Sequence, residues 1–313
     1  MGLRMKTRIG SRLVVVALVS VLSVACSGTS EGTSTTAPAE VTSGVPTLTS
    51  QRSTTSTPAV TSTTQDDIAD RPCGSLAAEH NVTWRQELAA KDELVYTLAI
   101  GDLDRARELV EAGHDVNVTL EDLSLTPLVA AVDSGCGSAV DWLLEAGATP
   151  GLRVGTIEPI LYAARWGQVT VIERLLEAGA DPNTVGFDAE ATAMHLAVGA
   201  ECFECLDVLL AAGADIEAVN YARTPLDNAA TIGWLDGVNY LVAAGAGSLQ
   251  NALYEAIRED QVEAVELLVD HGADPDAPSG DPTIHGDTAN ALEWAIRVGA
   301  AQSEQYLNSI VEP

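Results

Sequence analysis

The sequence predicts an all-α solenoid built from paired short helices. Three observations lead there. Segments that begin at Asp92, Thr126, Glu158, Thr192, Thr224, Asn251 and Asn290 align on one another. In the first six, a glycine stands 21 residues after the start: Gly113, Gly147, Gly179, Gly213, Gly245 and Gly272. Apolar residues make up 46% of the chain but aromatics only 4%, which calls for an aliphatic, alanine-rich core suited to closely packed helices. Self-similarity at a fixed internal offset is the mark of a repeat array, in which each unit buries its apolar face against its neighbours.

Successive starts lie 34, 32, 34, 32, 27 and 39 residues apart. The variation falls between the glycine and the next start, where a loop belongs. The first helix of a unit carries small pairs, as in Ala130-Ala131, Ala163-Ala164 and Ala229-Ala230, which allow close approach. Pro at the head of that helix forfeits only an N–H that has no intrahelical acceptor, and the Thr before it is a cap. The second helix ends in an apolar pair such as Leu143-Leu144 or Leu175-Leu176. The glycine beyond takes the left-handed conformation that ends a helix without a Cβ penalty.

Thr126-Pro127-Leu128 recurs as Thr224-Pro225-Leu226. Thr192-Ala193-Met194-His195-Leu196-Ala197 and Gly179-Ala180-Asp181-Pro182-Asn183 show most clearly how a unit opens and closes. These motifs resemble ankyrin repeats, over about residues 91–313. The resemblance implies six to seven repeats, short β-hairpin fingers between them, and a face of first helices and fingers that binds another protein. Contacts would come from Tyr96, Tyr162, Trp166, Tyr221 and Trp294, since Tyr and Trp are preferred interface anchors; Tyr162, Trp166 and Tyr221 form the central group. The fifth position of each unit, which also holds Ala130, Leu196, Asn228 and Glu255, is expected to face outward. His195 is expected to join a hydrogen-bond network between units. The first and seventh units read as caps. Only residues 245–250 separate the fifth from the sixth, so the finger there is largely missing, whereas residues 275–288 form a long one.

Ahead of the repeats, residues 1–12 are basic and residues 13–25 are an apolar run of thirteen. A membrane-spanning helix needs about 20 residues, so residues 1–25 read as a signal peptide. Leu22-Ser23-Val24-Ala25-Cys26 resembles the lipobox of bacterial lipoproteins. That resemblance implies a diacylglyceryl group on Cys26 and an extracytoplasmic domain anchored to the cell membrane; the alternative is plain secretion. Residues 26–66 read as a disordered tether. Within them, residues 27–64 hold 8 Ser, 13 Thr and 3 Pro and span roughly 35 Å root-mean-square. Residues 67–90 are expected to cap the array, with an added helix over 84–90.

Sixteen Lys and Arg face forty-five Asp and Glu, a net charge of −29. That balance excludes nucleic acid and anionic lipid as partners, because affinity for both comes from basic side chains. It favours a basic protein partner, or it only keeps the domain soluble and monomeric. An inhibitor or immunity-like protein that neutralises a basic enzyme is the second reading. Among nucleophile, phosphate-loop and zinc-protease motifs none occurs, and the expectation is no enzyme, no metal and no cofactor. Outside a membrane, an even number of cysteines suggests disulfides. With the family's spacing, Cys136 and Cys202 stand two units apart, beyond the reach of a bridge (Cα atoms within about 7 Å). Cys73–Cys136 and Cys202–Cys205 are then the favoured set. Cys202 and Cys205 also form a Cys-x-x-Cys near a helix start, the one feature compatible with thiol–disulfide redox chemistry.

Overall fold

A computed structural model describes residue 73 and residues 88–187, 190–278 and 289–311. The leader, Cys26, the tether and most of the segment 67–90 lie outside the described residues; within that last segment, residues 88–90 are helical.

Seven helix pairs follow one another: α1 (Glu93–Ala99) and α2 (Leu103–Glu111), α3 (Pro127–Asp133) and α4 (Gly137–Glu145), α5 (Pro159–Arg165) and α6 (Val169–Glu177), α7 (Ala193–Gly199) and α8 (Phe203–Ala211), α9 (Pro225–Ile232) and α10 (Leu235–Ala243), α11 (Leu249–Arg258) and α12 (Val262–Asp270), α13 (Ala291–Val298) and α14 (Ala301–Val311). Between α6 and α7, β1 (Val185–Gly186) pairs antiparallel with β2 (Ala191–Thr192) in the register Val185 to Thr192. Isolated bridges at Leu120–Leu125, Val154–Ile157 and Asn220–Arg223 mark three further fingers. The predicted all-α solenoid with short β-hairpin fingers is the fold observed.

Local chemistry accounts for the helices. Asp92, Thr126, Glu158, Thr192, Thr224 and Asn290 are the N-caps of the first helices, as the repeat starts predict. Pro127, Pro159 and Pro225 open α3, α5 and α9. The sixth unit differs from expectation. Its helix starts at Leu249, capped by Ser248, rather than near Asn251; with no finger to build, the chain enters the helix sooner. All six unit-ending glycines have φ between 86° and 103°.

The core is one continuous aliphatic cluster running through every helix pair. Consecutive first helices pack on one another along the whole series, more closely than consecutive second helices. Ala163, Ala164, Ala197, Ala229, Ala230 and Ala256 are completely buried there. The first helices therefore form the inner side of the stack.

Polar staples join one unit to the next. Asn117 Nδ2 donates to the Gly147 carbonyl at 3.1 Å, and its Oδ1 accepts from Thr149 N–H at 2.8 Å. Asn183 repeats this on Gly213 (3.1 Å) and Asp215 (2.7 Å). Glu217, in the matching place one unit on, accepts from Gly247 N–H at 2.6 Å. Where the finger is missing, Gln250 bonds Asp274 through its backbone N–H (3.1 Å) and carbonyl (2.9 Å). The second unit has Gly151 at the corresponding position and no such side chain. His195 behaves as expected of a structural residue. Its Nδ1 accepts from the Thr192 hydroxyl at 2.8 Å, and Nε2 donates to the Arg223 carbonyl at 3.0 Å. Burial lowers its pKa, which keeps the ring neutral.

Candidate functional site

The aromatic residues singled out from the sequence divide into three places. Tyr162, on α5, is half-buried, and Trp166, its C-cap, is 36% exposed. Trp166 Nε1 donates to Asp133 Oδ1 at 3.3 Å, reaching back to the preceding first helix. The Tyr162 ring packs against that of Phe187, at the tip of the β1–β2 finger, with centroids 5.6 Å apart and planes tilted by 47°. Burial and the Asp133 carboxylate push the Tyr162 hydroxyl up to about 12, so it stays protonated. Arg165 lies over both Trp166 (5.9 Å to the ring centre) and Phe187 (5.5 Å). Helix end and finger tip thus build one aromatic–guanidinium patch. Sequence reasoning missed Phe187. The signal that could have found it was its offset: it stands eight residues after Gly179, as Tyr221 stands eight after Gly213.

Tyr221 occupies the tip of the next finger and is 73% exposed. Its backbone has φ 44° and that of Phe187 φ 57°, whereas the matching position of the preceding finger is Gly155 (φ 61°). Holding a non-glycine residue in this left-handed region costs about 1–2 kcal/mol, yet two successive tips carry aromatic rings. Val185 (41%) and Val219 (61%) are exposed beside them. The β1–β2 finger is held close to its neighbour: Phe187 N–H donates to the Thr156 carbonyl at 2.9 Å. A Cβ on Gly186 would come within 2.2 Å of that same oxygen, which explains the glycine.

The remaining two rings lie at the ends of the array. Tyr96 is half-buried on α1. Trp294, on α13, stacks at 6.3 Å on the buried Tyr254, with Arg297 at 5.9 Å from the Trp294 ring centre. Tyr254 reaches the carbonyls of Ala277 (2.9 Å) and Ala289 (2.7 Å); most of the long finger expected over residues 275–288 lies outside the described residues.

The expectation that every fifth position faces outward needs correction. Ala130 and Glu255 are buried, each 1% exposed, while Tyr162, Leu196 and Asn228 are half-buried. The neighbouring first helix covers this position wherever packing is closest. Glu255 is instead an internal ion-pair centre, 3.0 Å from Arg223 Nε and 2.6 Å from Arg258 Nη2. Close by, Asp227 takes the place that His195 holds one unit earlier. It is fully buried, and its Oδ2 accepts from Thr224 N–H at 2.7 Å.

Charge is distributed unequally. The second helices carry fourteen carboxylates and three basic residues; the first helices carry five and three. Of those five, Asp133, Asp227 and Glu255 are buried. Among the helices the acidity therefore belongs to the outer side; the fingers carry further carboxylates, among them Asp181, Glu190, Asp215 and Glu217.

Cys73 and Cys136 are joined through their sulfurs across 63 residues, and Cys202 is joined to Cys205. Cys202 is the N-cap of α8 and accepts from Cys205 N–H at 3.1 Å. It is 3% exposed and Cys205 is completely buried. Thiol exchange requires an accessible sulfur, and this pair is part of the core.

Comparison with known proteins identifies the architecture. A family model for ankyrin repeats (three copies) matches residues 88–186 and 160–248, and a single ankyrin repeat matches residues 248–279. The chain belongs to the ankyrin repeat family. This ankyrin repeat protein is 31% identical over 243 residues to human B-cell lymphoma 3 protein, covering 71% of the present chain and 52% of that one; it spans about half of the relative's length. The ankyrin repeat domain of human ASB11 superposes with a TM-score of 0.60 at 28% identity, covering 71% of this chain and 99% of that domain. The ankyrin repeat domain of Bcl-3, a member of the IkappaB family, gives 0.52 at 29%, covering 66% and 97%. Ankyrin repeats make the chain a protein–protein interaction module, of a family whose members generally bind rather than catalyse.

Proposed function

We propose that this ankyrin repeat protein is an extracytoplasmic, membrane-tethered module or scaffold that docks a protein partner on its inner helices and fingers. The observation that carries the reading is the patch of Tyr162, Trp166, Arg165 and Phe187, continued by the exposed Tyr221. It combines rigid aromatic surface with strained finger tips, and strain retained in a fold tends to mark functional positions. The leader and Cys26 support the location, and Cys26 carries the diacylglyceryl anchor.

Two experiments test this. Intact-mass analysis of the protein from cell envelopes is expected to show a diacylglyceryl group that disappears in Cys26→Ser; an unmodified Cys26 would remove the anchor. Affinity capture from envelopes with the full chain is expected to yield one partner that Tyr162→Ala combined with Trp166→Ala loses, provided the variant keeps its helical signal. Retention by that variant would move the site elsewhere.

A second reading, neutralisation of a basic enzyme, is favoured by the concentration of carboxylates on the second helices. Its contact would then lie on the outer side. Charge-neutralising changes such as Asp207→Asn and Glu204→Gln would weaken capture, and the aromatic variants would not.

A further inference from the structure

The arginines on the inner side and fingers differ in one respect. Arg153 is paired with Glu158 at 2.9 Å, Arg223 with Glu255 at 3.0 Å, and Arg258 with Glu255 and Glu259 at 2.6 and 3.1 Å. Arg165 is exposed and, among the described residues, lies within ion-pairing distance of no carboxylate; its contacts are the rings of Trp166 and Phe187. A guanidinium beside aromatic rings and without a carboxylate of its own keeps N–H groups able to make paired bonds to a carboxylate. On a chain of net charge −29, this cation stands on the inner helices, where only Glu93 and Glu293 are exposed carboxylates. Around it lie apolar surfaces at a spacing set by the repeats: Phe187 and Val185 on one finger, Tyr221 and Val219 on the next.

We propose that Arg165 is the carboxylate receptor of the docking face, and that the partner presents an extended segment with an Asp or Glu beside apolar residues. The proposal rests on the reading that this face binds protein. The acidic side chain pairs with the outward edge of Arg165, and its neighbours lie across Phe187 and Tyr221. Local charge complementarity selects this occupant: Arg165 is the cation of the patch and, among the described residues, no carboxylate of this chain pairs with it. Trp166 and Phe187 are positioning residues as well as contact surface, because the guanidinium lies beside both rings.

The test is selection of phage-displayed random peptides on the full chain, followed by affinity measurement with the synthetic winners. The expected winners carry Asp or Glu next to an apolar residue. Exchanging that acid for Asn or Gln is expected to weaken binding about tenfold or more. On Arg165→Gln the acidic and amide peptides should bind equally weakly, which is the coupling a double-mutant cycle reads. Arg165→Lys, which keeps the charge but loses the planar fork, should fall between. Arg165 is exposed, so both variants are expected to melt as the parent does. Winners without acid, winners indifferent to Arg165→Gln, or an empty selection would each overturn the assignment. The two failures are separable. Acid-free winners that still lose binding on Trp166→Ala leave the docking face standing and remove only the role of Arg165. Winners that ignore both Arg165→Gln and Tyr162→Ala with Trp166→Ala remove the face as well.

Discussion

Asp227 and Glu201 show how a single substitution within a repeated frame acquires a cost. At the position where the fourth unit has a neutral histidine, the fifth has a buried carboxyl. Burial first, then the nearby Glu255 and Glu217, push it up to about 7 from the usual 3.8. A carboxyl raised on folding binds its proton more tightly in the native state, so this group's contribution to stability is fully present below about pH 4 and is lost as pH rises toward and through 7. Asp227→Asn keeps an oxygen for the Thr224 N–H. It should therefore stabilise the protein by about 1–3 kcal/mol at pH 8, with the gain shrinking toward zero by pH 4; urea midpoints at the two pH values measure this, and a pH-independent difference would refute it. Glu201 and Asp260 stand where the other five units have Gly101, Gly135, Gly167, Gly233 and Gly299, and both keep the left-handed backbone (φ 52° and 55°). Their side chains differ. Glu201 is exposed, so Glu201→Gly should stabilise by about 1 kcal/mol. Asp260 accepts from Ser303 N–H and hydroxyl, each at 2.9 Å. Burial works to raise its pKa, but those bonds prevail and lower it. Asp260→Gly removes this cap from α14 at a cost of about 1–2 kcal/mol, so thermal melts should show the same exchange giving no gain or a loss. The Asp260 contribution is present above the ordinary carboxylate pKa and is lost as pH falls through its lowered native value.

Between elements, the unevenness lies in the staples. The second unit lacks the asparagine that the first and third use, and Arg153 supplies part of the missing tie. Its Nε meets Glu158 at 2.9 Å and its Nη2 meets Thr184 Oγ1 at 3.0 Å, on the next finger. Gly151 is exposed, and a Cβ there would meet only Glu158 Oε2, at 3.7 Å. Gly151→Asn has room to rebuild the staple and should stabilise the protein by about 0.5–1.5 kcal/mol per hydrogen bond gained, seen as a higher melting temperature. Asn183→Ala should lose a similar amount at the next junction. If the two changes move the melt in the same direction, the staples do not contribute as described. The repeat frame was legible in the sequence because proline, threonine and glycine act through the backbone at fixed positions. The N-cap of α11 was not, since removing a finger shifts a helix start without leaving a marker residue. Tyr162 and Trp166 were legible as candidates by residue type. Phe187 and Arg165 were not, because their role depends on a finger folding back over the end of a helix in the same unit's first half.

The whole molecule is held by neighbour contacts, so anything that joins distant parts counts for more. A Cys73–Cys136 bridge closes a loop of 63 residues and is worth about 4 kcal/mol by chain entropy, against about 2 for the short ring of Cys202 and Cys205. Cys73→Ser should accordingly reproduce most of the drop in melting temperature caused by reductant, and Cys202→Ser paired with Cys205→Ser the smaller part. An equal split would point to packing rather than loop closure. The one-sided acidity has an effect of another kind. A body with fourteen carboxylates on its second helices and five, three of them buried, on its first helices has an electric polarity between its two helical layers. Within about 8 Å of a negatively charged surface, the distance over which salt leaves such fields effective, it experiences a torque as well as a push. Brought to that distance, the domain would roll until its acidic flank faced the bulk fluid. The inner helices would then be turned toward the surface, and a ligand embedded in that surface would meet that side already aimed at it.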